Sequence, residues 1–464
     1  MPAQPVSLAW AEGVVQVDDR GAVLLQGEGM TAAVRLTLEP DPGLRPLLVD
    51  TDAAEHAGTV EAGVSQRVTV AEHCQVRWVI EQPAEASGPV ELEVGFPAGY
   101  HGWVWPSGAD GLLAAFPETG FGPVLVVQVQ QGSLTWAGES ADGRRLRLAL
   151  GPSGGDRQVT VLRAERLAML PAAVRLLPSW YQPLAIAAGD DWQAEIADFG
   201  VDASDPVGID YPDGERTVRL SAPAGRHRIG LHGRRGVTEV QLEVCPRSHD
   251  LVRAVAQQVL ADGPLSSAGA VVVQQALVHG DLESDRFIED ALDRFDWTTR
   301  GDPLAIAFGC QRAVQESERA MVEEAVRQVL ALPDRRRQAQ VRRIVAFAAA
   351  ALDADAGPLA AVMRPVEEPV LADRLHFGRR TRTGAALLAG AIDRLGAGLP
   401  GRPVGLSPAA AAELVCLLDS CPEDWPEAPL AAVTAQESRF KLFAGYASGD
   451  ITDPTALAWL LLGG

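Results

Sequence analysis

The sequence predicts a multidomain β + α protein: an N-terminal antiparallel β-sandwich, a second small immunoglobulin-like β unit, and a C-terminal all-α helical array or bundle. Three observations predict it. Ahead of Cys245-Pro246, short runs alternate apolar with polar residues between turn residues, the period of half-buried antiparallel strands. Beyond it the apolar residues recur at helical spacing. At 464 residues the chain also exceeds one ordinary core, since domains run to ~100 to 200 residues. The boundaries that follow are 1–167 for the sandwich, 168–246 for the small β unit with its connector, and 247–464 for the helices.

In chain order, Val14 to Val17, Ala33 to Leu38, Gln75 to Ile80 and Val90 to Val94 alternate as strands, and Val124 to Val129 is apolar enough for a sheet centre. Asp19-Arg20-Gly21, Pro40-Asp41-Pro42-Gly43 and Asp142-Gly143 supply the turns. Residues 168–182 read as a connector carrying an exposed Trp180-Tyr181. A second strand set covers Trp192 to Ile196, Thr217 to Leu220, Arg228 to Leu231 and Thr238 to Val244. Ser248 then offers an N-cap to a helix through Leu260, stopped by Gly263-Pro264. Further helices are expected over 268–278, 284–295, 303–331, 335–353, 382–396, 407–420, 427–446 and 453–462, with no fixed repeat period.

Composition excludes several function classes. A net charge of -21 repels the phosphates of nucleic acid and of an anionic membrane, so neither is expected as a partner. Only one of the basic residues is a lysine, Lys441, and it follows no glycine-rich run, which removes the P-loop. The cysteines number five, with no CxxC, so neither a disulfide framework nor a zinc knuckle is expected. The N-terminus lacks a signal-peptide pattern, and the longest strongly apolar run, Ile344 to Leu352, is far short of the ~20 residues of a membrane span. A cytoplasmic protein without metal or cofactor is the expectation.

The motifs with chemical potential are few. Asp281, Glu283 and Asp285 resemble the opening of a calcium loop, but its glycine position holds Arg286 and its glutamate position holds Leu292, so the stretch reads as an acidic helix start. Glu118, Asp281, Glu283 and Glu437 are the carboxylates from which a glycosidase pair would be drawn, although only 5% of the chain is aromatic and sugar sites favour aromatic platforms. His73-Cys74 sits at a strand start rather than in a nucleophile-base geometry, and the histidines, eight in all, show no HExxH spacing. Tyr100 to Pro106 is the densest aromatic cluster. Its Trp103 and Trp105 share one strand face, which is either sandwich core or a binding platform. Two arginine clusters, one containing Arg336 and Arg343 and the other Arg379 and Arg380, would dock an acidic protein or a second copy of this chain.

Gly301 to Gly309, with its Asp302-Pro303-Leu304-Ala305, and Phe377 to Leu388, with its Phe377-Gly378-Arg379-Arg380, resemble helical modules of bacterial caspase-like and CHAT-type peptidase systems. The chain lacks the His-Gly and Cys-Gly catalytic segments of those peptidases, so the resemblance implies a non-catalytic accessory of a defence or signalling system. The function expected from the sequence is therefore protein docking, with Trp103, Trp105, Arg336, Arg343, Arg379 and Arg380 as binding residues and a protein partner or self-association as the outcome. The alternative is a carbohydrate-active enzyme in which a β-sandwich precedes a helical barrel.

Overall fold

The computed structural model describes residues 6–463 apart from 19–20, 40–44, 51–54, 60–63, 71, 82–89, 106, 119–121, 152–156, 197–199, 215, 234–235, 299–300, 333–340, 342–343, 346, 356–381, 397 and 420. Two compact units divide the chain. The first takes Met1–Pro223, His227–Leu242 and Ile392–Leu406; the second takes Ala224–Arg226, Glu243–Ala391 and Ser407–Gly464.

The first unit is built on a sandwich of two sheets, antiparallel throughout. One sheet orders its strands Val6–Trp10, Gly13–Val17, Val23–Gly27, Val34–Glu39, Glu91–Gly95, Arg145–Leu150, Leu134–Glu139 and Ser107–Gly108. The other runs Arg402–Pro403, Tyr100–Trp105, Leu112–Pro117, Val124–Gln131, Arg157–Leu167, Cys74–Glu81, Val64–Val70, Glu55–Thr59 and Arg45–Asp50. The alternation read from the sequence is what joins them: Val15, Leu25, Leu36 and Leu92 of the first sheet and Val68, Val76, Leu113 and Leu162 of the second enter one core. Two short sheets follow, of four and three strands, formed between Ala185 and Cys245. They are tied to the sandwich by Ala109 N–H donating to Val237 O at 3.1 Å and the Thr238 hydroxyl donating to Asp110 at 2.8 Å. These residues group with the sandwich up to Leu242, apart from Ala224–Arg226.

The expectation of an exposed Trp180-Tyr181 is corrected. Trp180 is 1% exposed, and its ring and that of Tyr181 each lie 6.3 Å from Trp105. A connector between two separate β domains would leave an indole in water; here it covers the outer face of a sheet and removes that area from solvent.

The second unit is helical. Its helices include Ser248–Ala261, Ser267–Val278, Arg286–Asp293, Pro303–Glu316, Arg319–Ala331, Pro408–Leu418, Ala428–Ala447 and Thr455–Gly463. Side-chain oxygens of Ser266, Asp285, Asp302 and Ser407 accept the N–H groups three residues on, so four helix starts follow from local capping chemistry. Ser248 does not cap as expected: it is the first helical residue, after Arg247. The single helix expected over 303–331 is two helices, broken where Ser317 adopts a left-handed φ of 57°. Helix Pro303–Glu316 buries every residue from Pro303 to Cys310, whereas Arg319–Ala331 buries one stripe, Val322, Ala325, Val326 and Val329. A turn between them lets both faces reach the core. No described helix is long and apolar enough to cross a membrane.

Candidate functional site

The site grows from the strand Tyr100–Trp105. Tyr100 and Val104 belong to the inter-sheet core, so pleating turns His101, Trp103 and Trp105 to the opposite face of the sheet. That outer face is covered by Trp180, Tyr181 and the backbone at Gly396 and Gly401. The Tyr181 hydroxyl donates to Gly398 O at 3.0 Å, and a Cβ at Gly396, whose φ is +65°, would stand 2.2 Å from Trp103 Nε1. Glycine is needed there both for the backbone and for the approach. Trp103 and Trp105 are 0% and 3% exposed. They form a buried wall and present no platform to a partner.

His101 lies at the open end of this wall. Phe116 faces it across the ladder with ring centroids 5.8 Å apart, and two residues on, Glu118 is held by its N–H donating to Gly99 O. From the other sheet comes the hairpin of residues 139–145. Ser140 and Asp142 hydrogen-bond to one another, and the N–H groups of Arg144 and Arg145 donate to Asp142 and Ser140, which holds the hairpin in one shape. Those bonds also keep the Asp142 carboxyl below the usual carboxylate range. Arg144 O accepts from Phe96 N, and Arg144 reaches Glu118 at 3.8 Å. The hairpin tip touches the strand edge where Gly143 meets Gly405; a Cβ on either would lie 2.7 Å from the other's Cα. Gly405 N–H donates to Glu139, and Val404 N–H donates to Gly102 O beside His101.

The electrostatics of this end are unusual in two opposite senses. His101 is pushed down to about 4, first by burial, then by the Arg394 cation, with Glu118 opposing and Arg144 adding to the effect. Its imidazole is therefore neutral from mildly acid pH upward. Asp393, next to Arg394 at the end of the helix Arg382–Leu395, is 4% exposed and pushed up to about 7 by burial. Its carboxyl remains largely protonated up to neutrality. Both groups belong to the first unit, and a base kept neutral and an acid kept protonated are suited to opposite proton transfers.

The other expected residues fall elsewhere. Arg336, Arg343, Arg379 and Arg380 lie outside the described residues. Asp281, Glu283 and Glu437 belong to the helical unit, and Asp285 caps the helix Arg286–Asp293, as an acidic helix start requires. Cys74 is fully buried with its thiol pushed up to about 12, and His73 Nε2 meets Arg163 at 2.6 Å, so the pair has no reactive thiolate. Among the described residues no group of His, Cys, Asp and Glu side chains is gathered to hold a metal. In the sequence His101 stands out only as part of the aromatic cluster, and Asp393 and Arg394 only as part of a helix end. The one local signal was the pairing of Asp393 with Arg394 just before Gly396, which is also ordinary helix-end chemistry.

No family model matches the chain. It is 35% identical over 85 residues to an endoribonuclease YbeY of Burkholderia thailandensis, a match spanning 18% of this chain and 19% of that protein. Its structure is similar to that of a polysaccharide lyase, with a TM-score of 0.50 and 11% identity, over 96% of this chain and 82% of that one. At that identity the likeness is one of fold.

Proposed function

We propose that the chain is a carbohydrate-active enzyme that cleaves a polysaccharide by elimination, with His101 as base and Asp393 as acid. The observation that carries this is an imidazole held neutral by burial and by the Arg394 cation, whose chain neighbour Asp393 is a carboxyl held protonated by burial. The likeness in fold to a polysaccharide lyase over nearly the whole chain supports it. Hydrolysis of a glycosidic bond ordinarily needs two facing carboxyl groups, one of them activating water. Here the partner of the acid is an imidazole, while Glu118 is half exposed and paired with Arg144.

In the reaction His101 takes a proton from a ring carbon and the electron pair becomes a carbon–carbon double bond. The glycosidic oxygen then leaves with the proton of Asp393. Such a carbon is acidic enough only beside a carboxylate, whose developing charge Arg394 and Arg144 stabilise. Of the residues expected to dock a protein, Trp103 and Trp105 are interior, and Arg336, Arg343, Arg379 and Arg380 lie outside the described residues. The five thiols are free, which suits a reducing compartment, and a cytoplasmic site of action is part of the proposal.

Incubation of the full chain with a panel of uronate-bearing polysaccharides tests it. The expected result is a rise in ultraviolet absorbance from the new conjugated double bond, lost in His101→Ala. Release of reducing ends without that absorbance would mean hydrolysis, and no cleavage of any substrate would end the enzymatic reading.

A further inference from the structure

Two glycines meet where the hairpin of residues 139–145 touches the edge of the other sheet. Gly143 and Gly405 hold left-handed φ angles of +64° and +74°, and a Cβ on Gly143 would lie 2.7 Å from Gly405 Cα and 3.5 Å from Val404 O. These neighbours are backbone atoms, which have no rotamer to move into. A side chain at either position would therefore push hairpin and edge apart. Gly143 is half-buried and Gly405 exposed, so their closeness removes little apolar surface from water. Core packing does not account for it.

What the contact fixes lies on either side of it. The hairpin is tied internally through Ser140 and Asp142, so it holds one shape and carries Arg144 with it. The Arg144 guanidinium reaches Glu118 at 3.8 Å, and both charges act on His101. That ion pair joins two half-exposed side chains at a long distance, and such pairs contribute too little to hold an arginine in place. On the other side, Val404 N–H donates to Gly102 O at 2.8 Å, which ties the contact to the residue after His101. Glu139 closes the joint by accepting from Gly405 N–H at 3.2 Å.

We propose that Gly143 and Gly405 are positioning residues for the reaction: their contact seats the hairpin so that the Arg144 guanidinium stays within reach of Glu118 and His101. This rests on the elimination reading above, in which Arg144 answers the charge that develops on the substrate carboxylate. A displacement of about 1 Å is enough to forfeit much of such an effect.

The test uses the full chain and two readouts: the His101 imidazole titrated by nuclear magnetic resonance without substrate, and kcat/KM against pH on a uronate-bearing polysaccharide. Gly143→Ala is expected to move the His101 titration upward from about 4, because the Arg144 cation recedes. It should also lower the plateau of kcat/KM about tenfold, with the acid limb moving up in step. Gly405→Ala brings the same collision from the other side and should do the same. With Arg144→Gln already present, Gly143→Ala should move the titration no further, an outcome that a merely structural role does not require. An unmoved His101 titration in both glycine variants, a further shift in the absence of Arg144, or loss of folding in both would overturn the seat. That titration needs no substrate, so its failure is separate from failure of the elimination reading. An unsubstituted chain that cleaves no uronate polysaccharide would remove that reading, and the positioning role with it.

Discussion

Asp393 and His101 respond to pH in opposite directions, which makes their roles measurable. Elimination needs His101 deprotonated and Asp393 protonated, so kcat/KM is expected to be bell-shaped, rising through about 4 and falling through about 7. A profile still flat well above neutrality would rule out Asp393 as the acid. Stability carries the matching signature. The folded state raises the proton affinity of Asp393, so its contribution is complete below the ordinary carboxylate range and is lost as pH rises through about 7. Asp393→Asn should therefore stabilise the protein at pH ~8, by about 4 kcal/mol at most, as read from denaturant midpoints. His101 works the other way: the unfolded imidazole binds the proton more readily, so acidification from about 6.5 toward 4 costs stability. None of this was legible in the sequence. Neither residue belongs to a motif, and the environments that displace them are assembled by segments distant in the chain.

The elements themselves were largely legible, because their periods are local properties. The strand Cys74–Glu81 turns Cys74, Val76, Trp78 and Ile80 inward and exposes Gln75 and Arg77, as its alternation requires. The break at Ser317 was not legible, since Glu316-Ser317-Glu318 contains no residue that ends a helix; packing of two differently apolar helices decided it. Ser317→Gly should stabilise the helical unit by about 0.5 to 1 kcal/mol, because glycine adopts the left-handed conformation without the Cβ penalty. A lower melting temperature would show that the serine side chain is needed there. Within the sandwich, Gln66, Trp78 and Thr160 stand opposite one another on three adjacent strands. Trp78 donates to Gln66, while the Thr160 hydroxyl is fully buried with no hydrogen-bond partner. Thr160→Val should raise the unfolding free energy by about 1 kcal/mol, since an unpaired buried hydroxyl costs that much or more. Equal or lower stability would place a bound water on it.

At the scale of the molecule, the boundary suggested by the change of period is crossed by the chain. Ile392–Leu406 lies within the helical part of the sequence yet belongs to the β unit, where it supplies the edge strand beside Val104 and the glycine against Trp103. A fragment of residues 1–246 should therefore expose Trp103 and Trp105, bind a hydrophobic dye and melt below the full chain. Joining residues 392–406 to it through a flexible linker should reverse both. A dye-free fragment with an unchanged melting temperature would refute this account of the edge. The sequence by itself determined the element types, the β-then-α order and the mismatch to a calcium loop, a zinc knuckle and a P-loop, because hydropathic period and ligand spacing are written in neighbouring residues. Only the tertiary structure decided that Trp103 and Trp105 are wall rather than platform, and that Arg394, Glu118 and Arg144 act on the His101 imidazole. Burial and proton affinity depend on what the rest of the chain brings to a residue, and no local window contains that.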